Sequence, residues 1–186
     1  MYSMNDLKVG TSITHEGAPF VVVRAEHSKQ ARAAAVLRTK IKNLITGQML
    51  EVTFQGGDSV QPADLDRKQA NFQYTDGDEY TFMDNTSYEQ FYLSKDAVGT
   101  VSDFIKEGED VDVMYFQDKP VTVVVPPKVV LEVTEAPPGV KGDSAANVTK
   151  KVKLETGYEV NVPLFIEQGE KIRINTDTGE YVERAN

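Results

Sequence analysis

Phe20-Val21-Val22-Val23-Arg24-Ala25-Glu26-His27-Ser28-Lys29-Gln30-Ala31-Arg32-Ala33-Ala34-Ala35-Val36-Leu37-Arg38-Thr39-Lys40-Ile41-Lys42-Asn43-Leu44 decides how this chain is read. Its first part is rich in β-branched and aromatic residues, and over residues 36–44 apolar side chains alternate with basic ones, so both flanks predict strands. Residues 28–35 between them are mostly small, apart from Gln30 and the long cations Lys29 and Arg32, and are expected to form the tip of a protruding hairpin. Alanines around Arg32 let backbone approach a partner closely. The guanidinium supplies a permanent charge and a planar fork of donors suited to phosphate. RNA or a phosphorylated ligand is the partner this chemistry selects.

Successive side chains of a strand point to opposite faces, so Arg38, Lys40 and Lys42 share one face and Leu37, Thr39 and Ile41 the other. The cations then form a row spaced ~6–7 Å apart, which can follow a phosphate backbone. A solvated outer face alternates in the same way, so the row gains its weight from the neighbouring Arg32, with Lys29 a weaker candidate.

Outward from this hairpin the hydrophobic period stays at two, with turn signals at short intervals, the pattern of all-β barrels or sandwiches. Strands are expected at 12–14, 20–26, 34–44 and 48–54 in a first barrel. In a second segment they are expected at 69–74, 79–83, 88–93, 110–116 and 121–125. Asp76-Gly77 there marks a hairpin, and a short helix is expected over 101–108, ended by Gly108. Five strands with a helix before the fourth predict an OB-like barrel. Pro126-Pro127 makes a stiff connector, and strands at 129–134, 150–155, 159–162, 171–175 and 180–184 predict another small barrel. Its loop over 136–147 is long enough to be functional by base rate. The expected domains are 1–63, with the tip loop 28–35, then 64–127 and 128–186.

Composition narrows the function classes. The 186 residues are 40% hydrophobic and include no cysteine, which excludes disulfides and thiolate metal sites. The chain lacks an apolar run near the ~20 residues of a membrane span and a signal-like N-terminus, so a soluble, cytoplasmic protein with no membrane partner is expected. The net charge of −9 is unevenly spread: +2 over 1–63, −9 over 64–127 and −2 over 128–186. Long-range steering toward RNA is therefore weak, and contact must come from a local patch plus shape. Enzyme readings fare badly. His15, expected in a turn, and His27, near a strand end, are the two histidines, and neither has an evident nucleophile partner or triad signature. Glu107-Gly108-Glu109-Asp110-Val111-Asp112 lacks calcium-loop spacing, and Lys141-Gly142-Asp143-Ser144 lacks the glycine spacing of a P-loop. Neither catalysis nor a metal is expected.

Several longer runs carry a resemblance. They are Lys40-Ile41-Lys42-Asn43-Leu44-Ile45-Thr46-Gly47, Phe82-Met83-Asp84 with Ser87-Tyr88-Glu89-Gln90, and Pro138-Gly139-Val140-Lys141-Gly142-Asp143. Further ones are Leu154-Glu155-Thr156-Gly157, Val160-Asn161-Val162-Pro163-Leu164-Phe165 and the terminal 175–184. Over nearly its whole length the sequence resembles the bacterial elongation factor P family. The resemblance implies a KOW or SH3-like barrel followed by two OB-fold barrels, arranged roughly in the shape of transfer RNA. It also implies a monomeric translation factor that binds the ribosome between the peptidyl and exit sites. In the family the first-domain loop reaches the acceptor end of peptidyl-tRNA, promotes peptide-bond formation at consecutive prolines, and needs no cofactor.

Residue by residue, the match departs from the commonest pattern at the tip, where Pro-Gly-Lys-Gly is replaced by Gln30, Ala31, Arg32 and Ala33. A subset of the family carries arginine there followed by Ala-Ala-Val, as in Ala34-Ala35-Val36, and receives a rhamnose on the guanidinium. The resemblance therefore implies rhamnosylation of Arg32 and an arginine-modifying glycosyltransferase as partner, with an unmodified functional Arg32 as the rival. Gly142-Asp143-Ser144 matches the family's Gly-Asp-Thr loop, associated with the exit-site codon. Tyr181 and Arg184 match terminal residues that approach small-subunit RNA. Two other readings stand beside this one: an elongation factor P-like paralogue with a distinct role, and a generic OB-fold module for single-stranded nucleic acid, which the acidic middle segment disfavours.

Overall fold

The computed structural model of the protein describes residues 1–28, 35–138 and 149–185 and consists almost wholly of antiparallel strands in three curled sheets. The first sheet contains β1 (Tyr2–Ser3), β2 (Ser12–His15), β3 (Ala18–Ser28), β4 (Val36–Asn43), β5 (Met49–Gln55) and β6 (Ser59–Pro62), in the order β1-β6-β2-β3-β4-β5. Its core gathers Ile13, Phe20, Val22, Leu37 and Ile41, inward residues of the period-two pattern, together with Leu7 from the segment between β1 and β2. β1 and β6, two and four residues long, are too short to show a period, and the sequence pattern did not reveal them. His15, expected in a turn, lies on β2 and packs edge-on against Phe20 with ring centroids 5.6 Å apart.

The second sheet contains β7 (Leu65–Asp76), β8 (Glu79–Asp84), β9 (Gln90–Ser94), β10 (Asp110–Phe116) and β11 (Lys119–Val124), in the order β11-β10-β7-β8-β9. The helix between its third and fourth strands starts earlier than the sequence pattern placed it, as α1 (Lys95–Val98) followed by a 3-10 turn at Gly99–Asp103. Capping decides this: the Ser94 hydroxyl accepts from the Ala97 N–H at 3.3 Å, and Asp96 stands in the first turn. The Thr122 hydroxyl donates to the Ala97 carbonyl at 2.7 Å, which ties edge strand β11 to the helix that leaves edge strand β9. The third sheet contains β12 (Lys128–Glu135), β13 (Thr149–Leu154), β14 (Glu159–Pro163), β15 (Lys171–Asn175) and β16 (Tyr181–Arg184), in the order β14-β13-β12-β15-β16.

Two neighbouring residues join the second and third cores. Ile105 is buried in the second, whereas Phe104, 4% exposed, is buried in the third. The Phe104 ring meets Tyr158 edge-on at 5.2 Å, and the Tyr158 hydroxyl donates to the Gly179 carbonyl at 3.2 Å. Lys106 adds a charged clasp, its ammonium 2.9 Å from Glu109 and 3.3 Å from Glu155. The hydrogen bond to Glu109 is the main reason its pKa is raised.

Each sheet also holds one hairpin turn built on the same scheme. Asn43, Asp84 and Asn175 each accept, through Oδ1, the N–H groups two and three residues on, at 2.7–3.2 Å. Their carbonyls accept the N–H of Gly47, Tyr88 and Gly179, at 3.0, 2.9 and 2.8 Å. A hydroxyl on Thr46, Ser87 or Thr178 accepts the N–H two residues ahead of it. Short polar side chains that bond their own backbone make such turns self-sufficient.

Two outcomes follow. Phe104→Ala is expected to destabilise the protein by about 3–5 kcal/mol, read as a lower urea midpoint, with the third sheet losing amide protection first. Burial, then the negative Asp84 and its hydrogen bond to the phenol at 3.4 Å, push Tyr115 from 10.0 up to about 12. A group raised on folding stabilises fully below its unfolded pKa, so this contribution is complete below pH 10 and fades toward pH 12. Tyr115→Phe should remove the highest step from an alkaline tyrosinate absorbance titration.

Candidate nucleic-acid interface

β3 and β4 form the long ladder of the first sheet, running from Phe20 opposite Asn43 to Ser28 opposite Val36, with a bulge between Val22 and Arg24. A bulge increases local twist and re-aims the strand beyond it. The ladder therefore fixes both ends of residues 29–35. Lys29 and Arg32 lie outside the described residues, as do Gly142, Asp143 and Ser144.

On β4, Leu37 and Ile41 are fully buried and Thr39 is buried with its hydroxyl donating to the Val52 carbonyl at 2.9 Å. The alternate positions face outward: Arg38 is exposed, and Lys40 and Lys42 are half-buried. Register adds what parity could not. Arg38 stands between Glu26 and Thr53, and Lys40 between Arg24 and Glu51. Arg24 is itself paired to Glu26, its Nε 2.8 Å from the carboxylate. The result is a shallow groove of about 410 Å³ in which Arg24, Arg38 and Lys40 face Glu26 and Glu51. Three cations against two carboxylates leave a local surplus of one positive charge. Arg24, Glu26 and Glu51 escaped sequence reading because their proximity depends on strand register.

Lys42 leaves the row. Its ammonium lies against Gly99 of the second module, 3.1 Å from where a Cβ on that glycine would stand. Beside it, Gly47 comes so close to Asp96 that a Cβ would be 3.0 Å from the Asp96 carbonyl oxygen. The turn 43–47 and the end of β4 thus press on α1, and Lys42 contributes to this joint and not to the groove of Arg24, Arg38 and Lys40.

In the third module Tyr181 is half-buried against the core. Arg184 sits 3.0 Å from Glu170 and stacks over Phe165 at 5.5 Å from the ring centre. Phe165 remains 60% exposed, and beside it lies a cleft of about 790 Å³ lined also by Pro137, Pro138 and Lys150. The turn after β14 explains the exposure, because it directs the next residue, Ile166, into the core. Among the described residues, groups of three or more acidic or histidine side chains placed to hold a metal are absent, and helices long and apolar enough to cross a membrane are absent too.

Three family models cover almost the whole chain: the elongation factor P KOW-like domain over residues 3–60, the elongation factor P OB domain over 65–123, and the elongation factor P C-terminal domain over 129–184. The chain belongs to the elongation factor P family. It is 45% identical to the elongation factor P of Syntrophus aciditrophicus over 99% of this chain and 98% of that one. With the elongation factor P of Coprothermobacter proteolyticus it shares 46% identity over 99% of each. The fold is similar to a solved archaeal relative of translation initiation factor 5A, from Methanococcus jannaschii, with a TM-score of 0.50 and 20% identity over 66% of this chain and 92% of that one. The all-β architecture of a KOW-like barrel followed by OB-type barrels is thus that of the elongation factor P family, a family of translation elongation factors.

Gly99 has φ 62° and ψ −145°, a conformation open essentially to glycine. Gly99→Ala is expected to cost about 1–3 kcal/mol in urea unfolding and to displace the Lys42 ammonium. Lys42→Ala in that background should then cost less than it does alone, a coupling readable in a double-mutant cycle.

Proposed function

We propose that the protein binds the ribosome beside peptidyl-tRNA and promotes peptide-bond formation where consecutive prolines stall it, with Arg32 reaching the tRNA acceptor end. The observation that carries this reading is the long β3–β4 ladder, which anchors residues 29–35 and bears Arg38 and Lys40 on its outer face, in a chain matched end to end by elongation factor P relatives.

The chemistry asked of the protein is modest. Proline is a conformationally constrained donor and acceptor of the peptide. Holding the tRNA end in a reactive geometry lowers the entropic part of the barrier without any bond to the factor. Arg32 suits that task through a charge that persists at any physiological pH and a fork of donors for phosphate or ribose oxygens. Arg38 and Lys40, with Lys29 nearer the tip, back it with short-range attraction to RNA. Lys42 mainly sets the angle from which the hairpin is presented, through its contact with Gly99. With a net charge of −9, the molecule gains little from long-range steering, so recognition rests on shape and on this patch. At the other end, Gly142, Asp143 and Ser144, together with Tyr181 and Arg184, face the exit-site codon and small-subunit RNA. A rhamnose on Arg32, added by a glycosyltransferase of the host, extends the reach of the tip and keeps its charge.

In a reconstituted translation of a polyproline template, wild-type protein is expected to relieve the stall and Arg32→Ala to lose most of that effect at unchanged thermal stability. A stall untouched by the wild type overturns the reading. Protein purified from its native host is expected to weigh more than its sequence by one deoxyhexose, and a mass equal to the bare sequence removes the sugar from the account.

A further inference from the structure

The three matching hairpin turns differ at one corner. Gly47 and Gly179 both take φ 72°, where glycine is free of strain, but the corresponding residue of the second module is Tyr88, at φ 60°. A bulky side chain in the left-handed region is strained, and such strain collects at binding sites. The turn itself does not require the ring, since glycine completes the same hydrogen bonds in both sister turns. Nor does the core use it: Tyr88 is 73% exposed.

The second sheet, whose β8–β9 turn carries Tyr88, presents more of the same chemistry. Register places Tyr74, Thr81 and Tyr92 in one row across β7, β8 and β9 on the outer face. Tyr74 and Tyr92 are about half exposed and stand in register on either side of Thr81, which is only 2% exposed. The next row along holds Asp76 opposite Glu79, Glu89 follows Tyr88 directly, and residues 64–127 sum to −9. Exposed aromatic faces in a negative field attract cationic side chains and repel a phosphate backbone.

We propose that Tyr88, with the Tyr74–Tyr92 face, docks a lysine- or arginine-rich segment of a basic protein. The inference rests on strain, exposure and charge in the second module and is independent of what Arg32 does.

The chain contains no tryptophan, so Tyr88→Trp creates a single indole reporter in the full-length protein. Its emission is expected to change on adding a hexa-arginine peptide, with roughly fivefold weaker binding when Tyr92 is also changed to alanine, and to stay constant on adding a single-stranded hexauridylate. A response to the RNA and not to the peptide overturns the partner class. Tyr88→Gly is expected to raise the melting temperature, by roughly 4 °C. It should also raise the concentration needed for half-maximal relief of a polyproline stall roughly fivefold with the plateau unchanged. A Tyr88→Gly protein that is no more stable, or that is more stable with an unchanged half-maximal concentration, overturns the proposal. Should the wild type fail to relieve the stall at all, the elongation reading fails, and the fluorescence titration still decides the docking.

Discussion

The two-residue alternation of β4 is the constraint on which the rest of the molecule depends. Leu37 and Ile41 have no exposed surface, so shifting the strand by one residue would place Arg38, Lys40 and Lys42 in the core of the first sheet. Burying even one unpaired cation costs more than a small barrel can supply. The apolar half of β4 thus fixes the register, and the register fixes where the cations stand and where the ladder ends, with Ser28 opposite Val36. Fold stability and the outward cations are two faces of one strand.

The joints between modules follow the same economy of close contacts. At the first, Gly47 and Gly99 allow backbone and the Lys42 ammonium to approach where a side chain would intrude. At the second, a single aromatic, Phe104, leaves the chain of one module to complete the core of the next, and Lys106 clasps Glu155 across the same boundary. Apolar insertion and a partly shielded ion pair tolerate salt better than surface charge alone.

The hairpin, the outward placement of Arg38, Lys40 and Lys42 and the three-module β architecture were all legible in the sequence, because period two and turn residues are local signals. Most strands fell within a few residues of their sequence-based positions. β1 and β6 did not, since strands of two and four residues, each with one core residue, Tyr2 and Val60, are too short to carry a period. The helix was misplaced because Ser94 and Asp96, which start it, sit inside a run that reads as strand and turn. The company of the cations was beyond sequence reading: Glu26 and Glu51 approach Arg38 and Lys40 only through register, and Lys42 turns to Gly99 only through packing of distant segments. Arg184 was legible as a terminal cation, but its pairing with Glu170 and Phe165 depends on how β15 and β16 meet the turn after β14. The repeated Asx turns carry a visible sequence signature, Asn-x-x-Thr-Gly at 43–47 and 175–179. The third instance, ending in Tyr88, departs from it at the residue of greatest interest.

The central claim is that the β3–β4 hairpin places Arg32 at the acceptor end of peptidyl-tRNA. The most direct measurement is a structure of the full-length protein on a ribosome halted at consecutive prolines. The account predicts Arg32 in contact with the acceptor end, with Arg38 and Lys40 facing RNA along the outer side of β4. A bound protein whose first module lies away from that tRNA, or whose outer β4 face with Arg38 and Lys40 points away from RNA, would contradict it.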